Sequence, residues 1–412
     1  MNYCKEYNFI ELGFYGGSIM DKKAYFEIDY AKNAIKKVGI GVLGYGFMGK
    51  VHSNAYLKIP YTYENPPAFP YLVAMGGRNR ERLEDTAIRF GYRGLYTKWE
   101  EMVIDPDIEI FDNCTPDNVH CEPSIAAAEN GKHVICEKPL SLTVEESERM
   151  VETVKKSGVK NMCCYNYRFI PAVRFAYDLI KEGLLGKIYQ FRARYLQEPG
   201  HDPREISDNV WYASGTRSGV LLGIGCHIID MARFLVGEID TVCGIVKVFN
   251  SIRKNRMGKE ERIEADEVNM ALLEFDNGAI GTIESSGIST GHKNQNTWEI
   301  NGSKGSIFFD LEDLNHLYVY LTDPLPQELR GFSSISVTDP SHPLCTAILP
   351  PGHNAGWEYG HVHAISHFID CVVNDKPVEP YGATFEDGLK VQKIIKAINE
   401  SFSKGKKVKV SY

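Results

Sequence analysis

Gly44, Gly46 and Gly49 directly follow the apolar run Val38-Gly39-Ile40-Gly41-Val42-Leu43. No other feature narrows the fold as much. The run suits a strand buried on both faces, the kind found in parallel sheets. In the G-x-G-x-x-G spacing that follows, Gly44 permits a tight turn and Gly46 lets backbone approach a pyrophosphate. Gly49 lets the next helix pack on the strand, and Phe47 and Met48 occupy that helix's first positions. The helix N-terminus adds free N–H donors and partial positive charge for phosphates. Chance glycine spacing would lack a context, and this chain supplies one. Strand-like runs at 72–75, 108–111 and 133–136 alternate with helix-like stretches at 80–90 and 123–129. That rhythm predicts βαβ units, a parallel sheet and right-handed crossovers. Residues 37–160 are therefore expected to form a doubly wound, Rossmann-type dinucleotide-binding domain.

Beyond residue 160 the rhythm changes. Strand candidates follow one another at 188–197, 241–249, 268–275, 279–285 and 306–310, with helices near 228–235 and 385–402. Asp276-Asn277-Gly278 separates two strands and is a strong hairpin signal, because Asn and Gly tolerate positive φ. Residues 161–412 are thus expected to form an α+β substrate domain with a large, mostly antiparallel sheet. The fold class is α/β. Residues 1–36 are aromatic-rich without periodicity and read as an extension. Val246, Val248, Leu272 and Ile283 suggest an apolar sheet side buried in a homo-oligomer.

Charge and composition exclude several classes. Lys and Arg number 46 against 54 Asp and Glu, a net charge of −8. No basic stripe for nucleic acid emerges from that balance. No run of about 18 uncharged apolar residues is present to span a membrane. Lys5 and Glu6 fall where a signal peptide needs its apolar core. The ten cysteines form no CxxC pair, which points to reduced thiols and a cytoplasmic protein.

The acid usually found after the second strand, accepting a ribose hydroxyl, is missing; Gly76-Gly77-Arg78 stands there. Gly77 removes a repulsion toward a 2′-phosphate, and Arg78 can pair with a phosphate or stack on adenine. NAD is the expected cofactor, with NADP not excluded. Glu137-Lys138-Pro139 follows the strand at 133–136, at the end where ligands sit in open α/β sheets. Beside a cationic nicotinamide, the ammonium form of Lys138 is disfavoured. Alcohol oxidation needs a hydride acceptor, a base and a donor to the nascent carbonyl. His227 titrates near neutrality and is the candidate base. Lys138 is the candidate to hold the oxygen, with the roles exchangeable. Tyr195 and Gln197 share one face of a strand and can meet a sugar ring, with Trp211, His353 and Trp357 as further walls. His361, His363 and His367 lack a carboxylate or thiol at ligand spacing, so no metal is expected. Ser285-Ser286 and the cysteines show no nucleophile–base pattern.

Taken together, these motifs resemble the Gfo/Idh/MocA family of sugar and cyclitol oxidoreductases, over residues 37–410. The likeness rests on the glycine fingerprint with Met48 and His52, on Thr115-Pro116-Asp117-Asn118-Val119-His120, and on Glu137-Lys138-Pro139. It continues through Asn166-Tyr167-Arg168, Gly225-Cys226-His227-Ile228-Ile229-Asp230 and Pro350-Pro351-Gly352-His353 with Gly356-Trp357-Glu358. The last group and Pro171-Ala172 resemble the branch acting on sugars, anhydrosugars and glycosides. The resemblance implies that Lys138 is the catalytic lysine, with Glu137 near the nicotinamide ribose and a cis bond before Pro139. It implies that Cys114, Thr115, Pro116, Asp117, His120 and Asn166 line the cofactor, and that His227 is the catalytic histidine. Gly223 departs from the family's usual Asp, and Gly77-Arg78 from its acid-then-Arg pattern. The implied activity is hydride transfer at a ring secondary alcohol, with oxidation at C3 to a 3-keto sugar as the first expectation. Two alternatives stand beside it: a glycoside hydrolase or lyase that oxidises its sugar transiently, and a non-catalytic dinucleotide sensor.

Overall fold

The computed structural model describes residues 36–200, 202, 219–254, 258–322, 326–345 and 350–412. The run before the glycine fingerprint is β1 (Lys37–Leu43), buried from Val38 onward. Around it lie β2 (Phe69–Gly76), β3 (Gly94–Tyr96), β4 (Ile110–Asn113), β5 (His133–Cys136) and β6 (Asn161–Cys163). All pairs are parallel, in the order β3-β2-β1-β4-β5-β6. Strand order reverses between β1 and β4, and a doubly wound sheet opens its ligand crevice at such a point.

Some further elements of this domain were not expected from the hydrophobic pattern. β3 and β6 have three residues each, too few to show alternation. The helix Val144–Ser157 is mostly polar, but a capping box of Thr143 and Glu146 announces it and Gly158 closes it in the left-handed conformation. That pairing satisfies two donors at the helix start.

The second sheet contains β7 (Ile188–Leu196), β8 (Ile239–Lys247), β11 (Val268–Phe275), β12 (Ile280–Ser286), β13 (Gln295–Gly302), β14 (Gly305–Asp310), β15 (His316–Leu321), β16 (Ser333–Ser336) and β17 (Val408–Lys409). Its order is β16-β15-β14-β13-β7-β12-β11-β8-β17, antiparallel except where β12 meets β7. β9 (Ile252–Lys254) and β10 (Glu260–Arg262) form a separate ribbon. The hairpin between β11 and β12 turns at Gly278, φ +84°, as the Asp-Asn-Gly signal predicts.

Among the described residues, helices cover one side of this sheet and leave the other open. Side chains alternate between faces, which corrects the expected open-face set. Ile283 is buried in the core and Val246 packs against it, so both belong to the covered side. Leu272 does point outward, joined there by Ile245, Met270 and Ile280. The register aligns Ile245 with Met270 and Glu284, and Cys243 with Leu272 and Thr282. Val248 lies just past the end of β8.

Late in the chain, the helix Tyr359–Val373 returns to the first sheet. Its Val362, Ile365, Phe368 and Ile369 share a core with Ile40 and Val42 of β1 and Tyr56 of the helix Phe47–Thr62. No helix among the described residues is long and apolar enough to cross a membrane. All nine described cysteines are free thiols.

Candidate active site

A cleft of about 990 Å³ opens at the carboxyl ends of β1, β4 and β5. Its floor begins with the glycine fingerprint. Gly44 has φ +110°, a conformation that L side chains rarely adopt, and its N–H donates to Gly76 at 2.8 Å. A Cβ on residue 49 would sit 1.9 Å from the Gly44 carbonyl oxygen, whereas nothing stands within 4 Å of one on residue 46. The strand end and the helix Phe47–Thr62 therefore touch at Gly49, and Gly46 leaves open backbone. Phe47 and Met48 also line the cleft.

Gly77 and Arg78 form part of the rim. A Cβ on residue 77 would come within 2.3 Å of the Tyr45 ring. The glycine thus makes room for Tyr45, a reason invisible without the fold. Cys114, Thr115 and Pro116 face the cleft, but Asp117 and His120 lie behind them. His120 Nδ1 is 2.7 Å from the Pro139 carbonyl and its Nε2 2.9 Å from that of Thr115, tying two cleft loops together. Asp117 accepts the Asn118 N–H at 3.2 Å.

Lys138 and His227, far apart in sequence, line this same cleft. The Lys138–Pro139 bond is cis. Lys138 Nζ donates to the Gly223 carbonyl at 3.0 Å. Residues Leu221–Gly225 form a π-type turn that opens into the helix Cys226–Leu235, which carries His227. A carbonyl dipole thus meets the lysine where the family pattern places a carboxylate. His227 is buried against Tyr165, Tyr167 and Tyr195, its ring 4.5 Å from that of Tyr167. Burial first, then the charge of Lys138, holds its pKa well below the ordinary histidine value, so the ring is neutral. Asp230 is bound to Arg168 by hydrogen bonds of 2.9 and 2.5 Å, and belongs to the buried scaffold.

One wall is a directional hydrogen-bond chain. Trp357 Nε1 donates to Tyr167 at 3.3 Å, and the Tyr167 and Tyr195 hydroxyls lie 2.8 Å apart. The Tyr195 hydroxyl donates to Asn294 Oδ1 at 2.8 Å, which also accepts from Gln197 Nε2 at 2.6 Å. Since Tyr195 spends its proton on Asn294, Tyr167 donates to Tyr195. Trp357 stacks on Phe47, joining the wall to the glycine loop. His353 is not brought here: it is exposed, bonds to the Pro350 carbonyl at 2.9 Å and borders a separate small cavity. Trp211 lies outside the described residues.

Three buried polar atoms on cleft residues have no partner among the described residues: Asn166 Nδ2, His227 Nδ1 and His361 Nε2. Buried polar groups are normally hydrogen-bonded, so these fit a ligand rich in oxygen and amide groups. With the open backbone at Gly46, the cleft fits a dinucleotide and a hydroxylated substrate. Tyr45, Thr97, Trp99, Tyr167, Ile224, Lys293, Asn294 and His361 also line it. Of these, Tyr45, Tyr167 and His361 fell within stretches that the sequence had singled out. His363 and His367 point elsewhere, bonded to Tyr63 at 2.5 Å and to the Val378 carbonyl at 2.8 Å.

Fold and cleft together define an NAD-dependent oxidoreductase of the Rossmann class. The chain belongs to the Gfo/Idh/MocA family. Residues 38–165 match the model of the oxidoreductase family's NAD-binding Rossmann fold, and residues 173–308 that of the GFO/IDH/MocA C-terminal domain. It is 35% identical to levoglucosan dehydrogenase of Pseudarthrobacter phenanthrenivorans, over 90% of this chain and 97% of the relative. Myo-inositol 2-dehydrogenase of Thermotoga maritima is 30% identical over 69% of this chain and 78% of its own. A solved levoglucosan dehydrogenase in complex with NADH and levoglucosan superposes with a TM-score of 0.87 at 35% identity, covering 91% of this chain and all of the other.

Proposed function

We propose that this chain transfers a hydride reversibly between NAD and a ring secondary alcohol of an uncharged sugar or glycoside, with the C3 hydroxyl as the reacting group. The observation that carries the reading is the meeting of Lys138, neutral His227 and unpartnered buried polar atoms on one cleft. Relatives named for levoglucosan and for inositols support a cyclic polyol as substrate. In this reading residues 37–160 hold the dinucleotide, 161–412 the substrate.

When bound, the nicotinamide supplies the hydride acceptor. His227 takes the hydroxyl proton on its imidazole, whose Nδ1 has no described partner. Burial keeps that ring neutral and therefore able to accept. Lys138, anchored by the Gly223 carbonyl, is placed to donate to the oxygen as it becomes a carbonyl. Tyr195, Gln197 and Trp357 supply the flat and polar surface that a pyranose presents. The test is a screen of anhydrosugars, glycosides and inositols with NAD, followed through reduced-nicotinamide absorbance and product NMR. A 3-keto product is the expected result. Glycoside cleavage without net absorbance change would favour the hydrolase or lyase alternative. Tight NAD binding without turnover on any polyol would overturn the dehydrogenase reading.

A further inference from the structure

We propose that His52 is a positioning residue, a buried imidazolium that bridges Asp112 and Glu137 and so fixes Glu137 as a carboxylate beside Lys138. His52 lies in the helix Phe47–Thr62, just beyond the glycine cradle, and is fully buried. Its Nδ1 lies 2.9 and 3.1 Å from the two Asp112 oxygens, and its Nε2 2.9 Å from Glu137 Oε1. A neutral imidazole has one N–H and one bare nitrogen. Two bare lone pairs facing each other in a dry interior would be strongly unfavourable. A protonated carboxyl could relieve that, but the remaining contacts argue against one. Asp112 accepts from the Tyr56 hydroxyl at 2.8 Å and the Cys114 thiol at 3.4 Å, and Glu137 Oε2 accepts the Lys138 N–H at 3.1 Å. Asp112 is thus an acceptor at both oxygens, and the charge of Lys138 beside Glu137 favours its carboxylate form, so both ring nitrogens donate.

The groups packed around the bridge leave this charge pattern intact. Tyr56 and Tyr92 and the thiols of Cys114 and Cys164 are pushed up by burial and stay neutral. His227 and His361 are held down by burial and are neutral too. Lys138 bonds away toward Gly223. Burial, the largest single influence, lowers the pKa of His52; the charge and hydrogen bond of Asp112 and the other neighbouring groups together outweigh it, and the net shift is well upward. Burial raises the pKa of Glu137, yet the hydrogen bond and charge of His52, then His361 and Lys138, bring it down to about 2.

Glu137 lines the cleft, so on the proposed hydride-transfer reading the bridge sets the charge beside the reacting oxygen. His52→Gln removes the opposing charge and leaves burial to raise the Glu137 pKa. We expect kcat/KM to fall roughly 10- to 100-fold near neutrality, the usual range for losing an orienting partner. A new acid limb should also appear above the ordinary carboxylate range, because burial raises the Glu137 pKa once the opposing charge is gone, with activity lost as pH falls and Glu137 protonates. Adding Glu137→Gln should abolish that limb. A folded His52→Gln protein with lowered activity but no new limb would reduce His52 to packing and overturn the proposal. Side-chain ¹⁵N NMR of the full-length protein tests the charge without any substrate, separating this proposal from the functional reading. The resonances lost in His52→Gln should show both nitrogens protonated near neutrality, and a neutral tautomer there would sink the idea. If His52→Gln fails to fold, Asp112→Asn serves instead: it should make one histidine titrate that does not titrate in the parent, and its absence would count against the bridge.

Discussion

At position 223 a glycine stands where the resembled pattern has an aspartate. Without a carboxylate there, Lys138 is anchored by a backbone carbonyl, and His227 is the only imidazole of the described cleft flanked by three tyrosine rings. His227→Asn and Lys138→Met should each lower kcat by about 10²–10⁴-fold, the range for lost acid–base assistance. Near-normal steady-state rates in both would remove them from the chemistry. Because burial keeps His227 neutral far below its ordinary pKa, the parent's kcat/KM should show no inflection at the ordinary histidine value. Stability behaves differently. His361 and His363 are each lowered to about 3 by burial first, then by charges that include His52 and Arg174. The unfolded chain takes up their protons near pH ~6.5, so it binds more protons than the native state below that value. Their contribution is complete above the unfolded pKa and is lost as pH falls from about 6.5 toward 3. His52, shifted upward, carries the opposite sign, as do Asp266, raised to about 6, and Asp230, whereas the lowered His227, His367 and Glu137 add to the loss on acidification. Melting temperature should therefore drop on acidification through this window, and less steeply in His363→Gln. Motif residues such as Lys138, His227 and Asn166 were nameable because their neighbours in sequence announce them. Asn294 and Thr97 were not, since only tertiary contacts bring them to the cleft. Tyr195 shows an intermediate case: strand alternation places it, but its hydrogen-bond partners come from the fold.

Elements are held together here by a few buried devices. Gly49 is the contact point of helix and strand; a methyl group there would overlap the Gly44 carbonyl. Gly49→Ala should tilt the helix Phe47–Thr62 and weaken NADH affinity, measured by fluorescence titration, more than Gly46→Ala, which meets nothing. Equal affinity in both variants would refute that contact argument. Arg168 joins its short turn to Asp230 of the helix Cys226–Leu235, and Asp387 links Arg168 and Arg233 at 3.7 and 3.0 Å. Asp230→Ala strands a buried guanidinium and should cost about 3–5 kcal/mol in denaturant unfolding, with Asp230→Asn costing less. The helix Val144–Ser157 was readable in principle from Thr143-x-x-Glu146, a cap signal that hydrophobic runs alone pass over. β13 alternates around polar residues such as Asn296, Thr297 and Glu299, and its strand character comes from pairing with β7 and β14. Local pattern thus identified elements with an apolar stripe, and missed those whose stability is supplied by neighbours.

At the scale of the molecule, the open side of the nine-stranded sheet remains to be covered. Ile245, Met270, Leu272 and Ile280 stand exposed along β8, β11 and β12, and a shallow hollow of about 630 Å³ runs beside them. The middle of the same face carries Arg192 and Arg194 beside Glu284 and Glu299. An apolar stripe next to charges of both signs is self-complementary: turned about a two-fold axis, such a face can meet its own copy with arginine opposite glutamate. We propose a homodimer through this face. A patch of this kind is uncommon on a monomer, and the period-two alternation of β11 explains why its strands were easy to find in sequence while the identity of the outward row was not. One residue of register exchanges the two faces, and only the pairing with β8 and β12 shows that Leu272 faces out and Ile283 in. Leu272→Arg places an unpaired charge in the stripe without touching the cleft. In light scattering the parent should have twice the monomer mass and the variant the monomer mass, with the variant's melting temperature lower and no longer rising with protein concentration. A parent that stays monomeric at high concentration, or a variant that remains dimeric, would show that some other surface does the pairing.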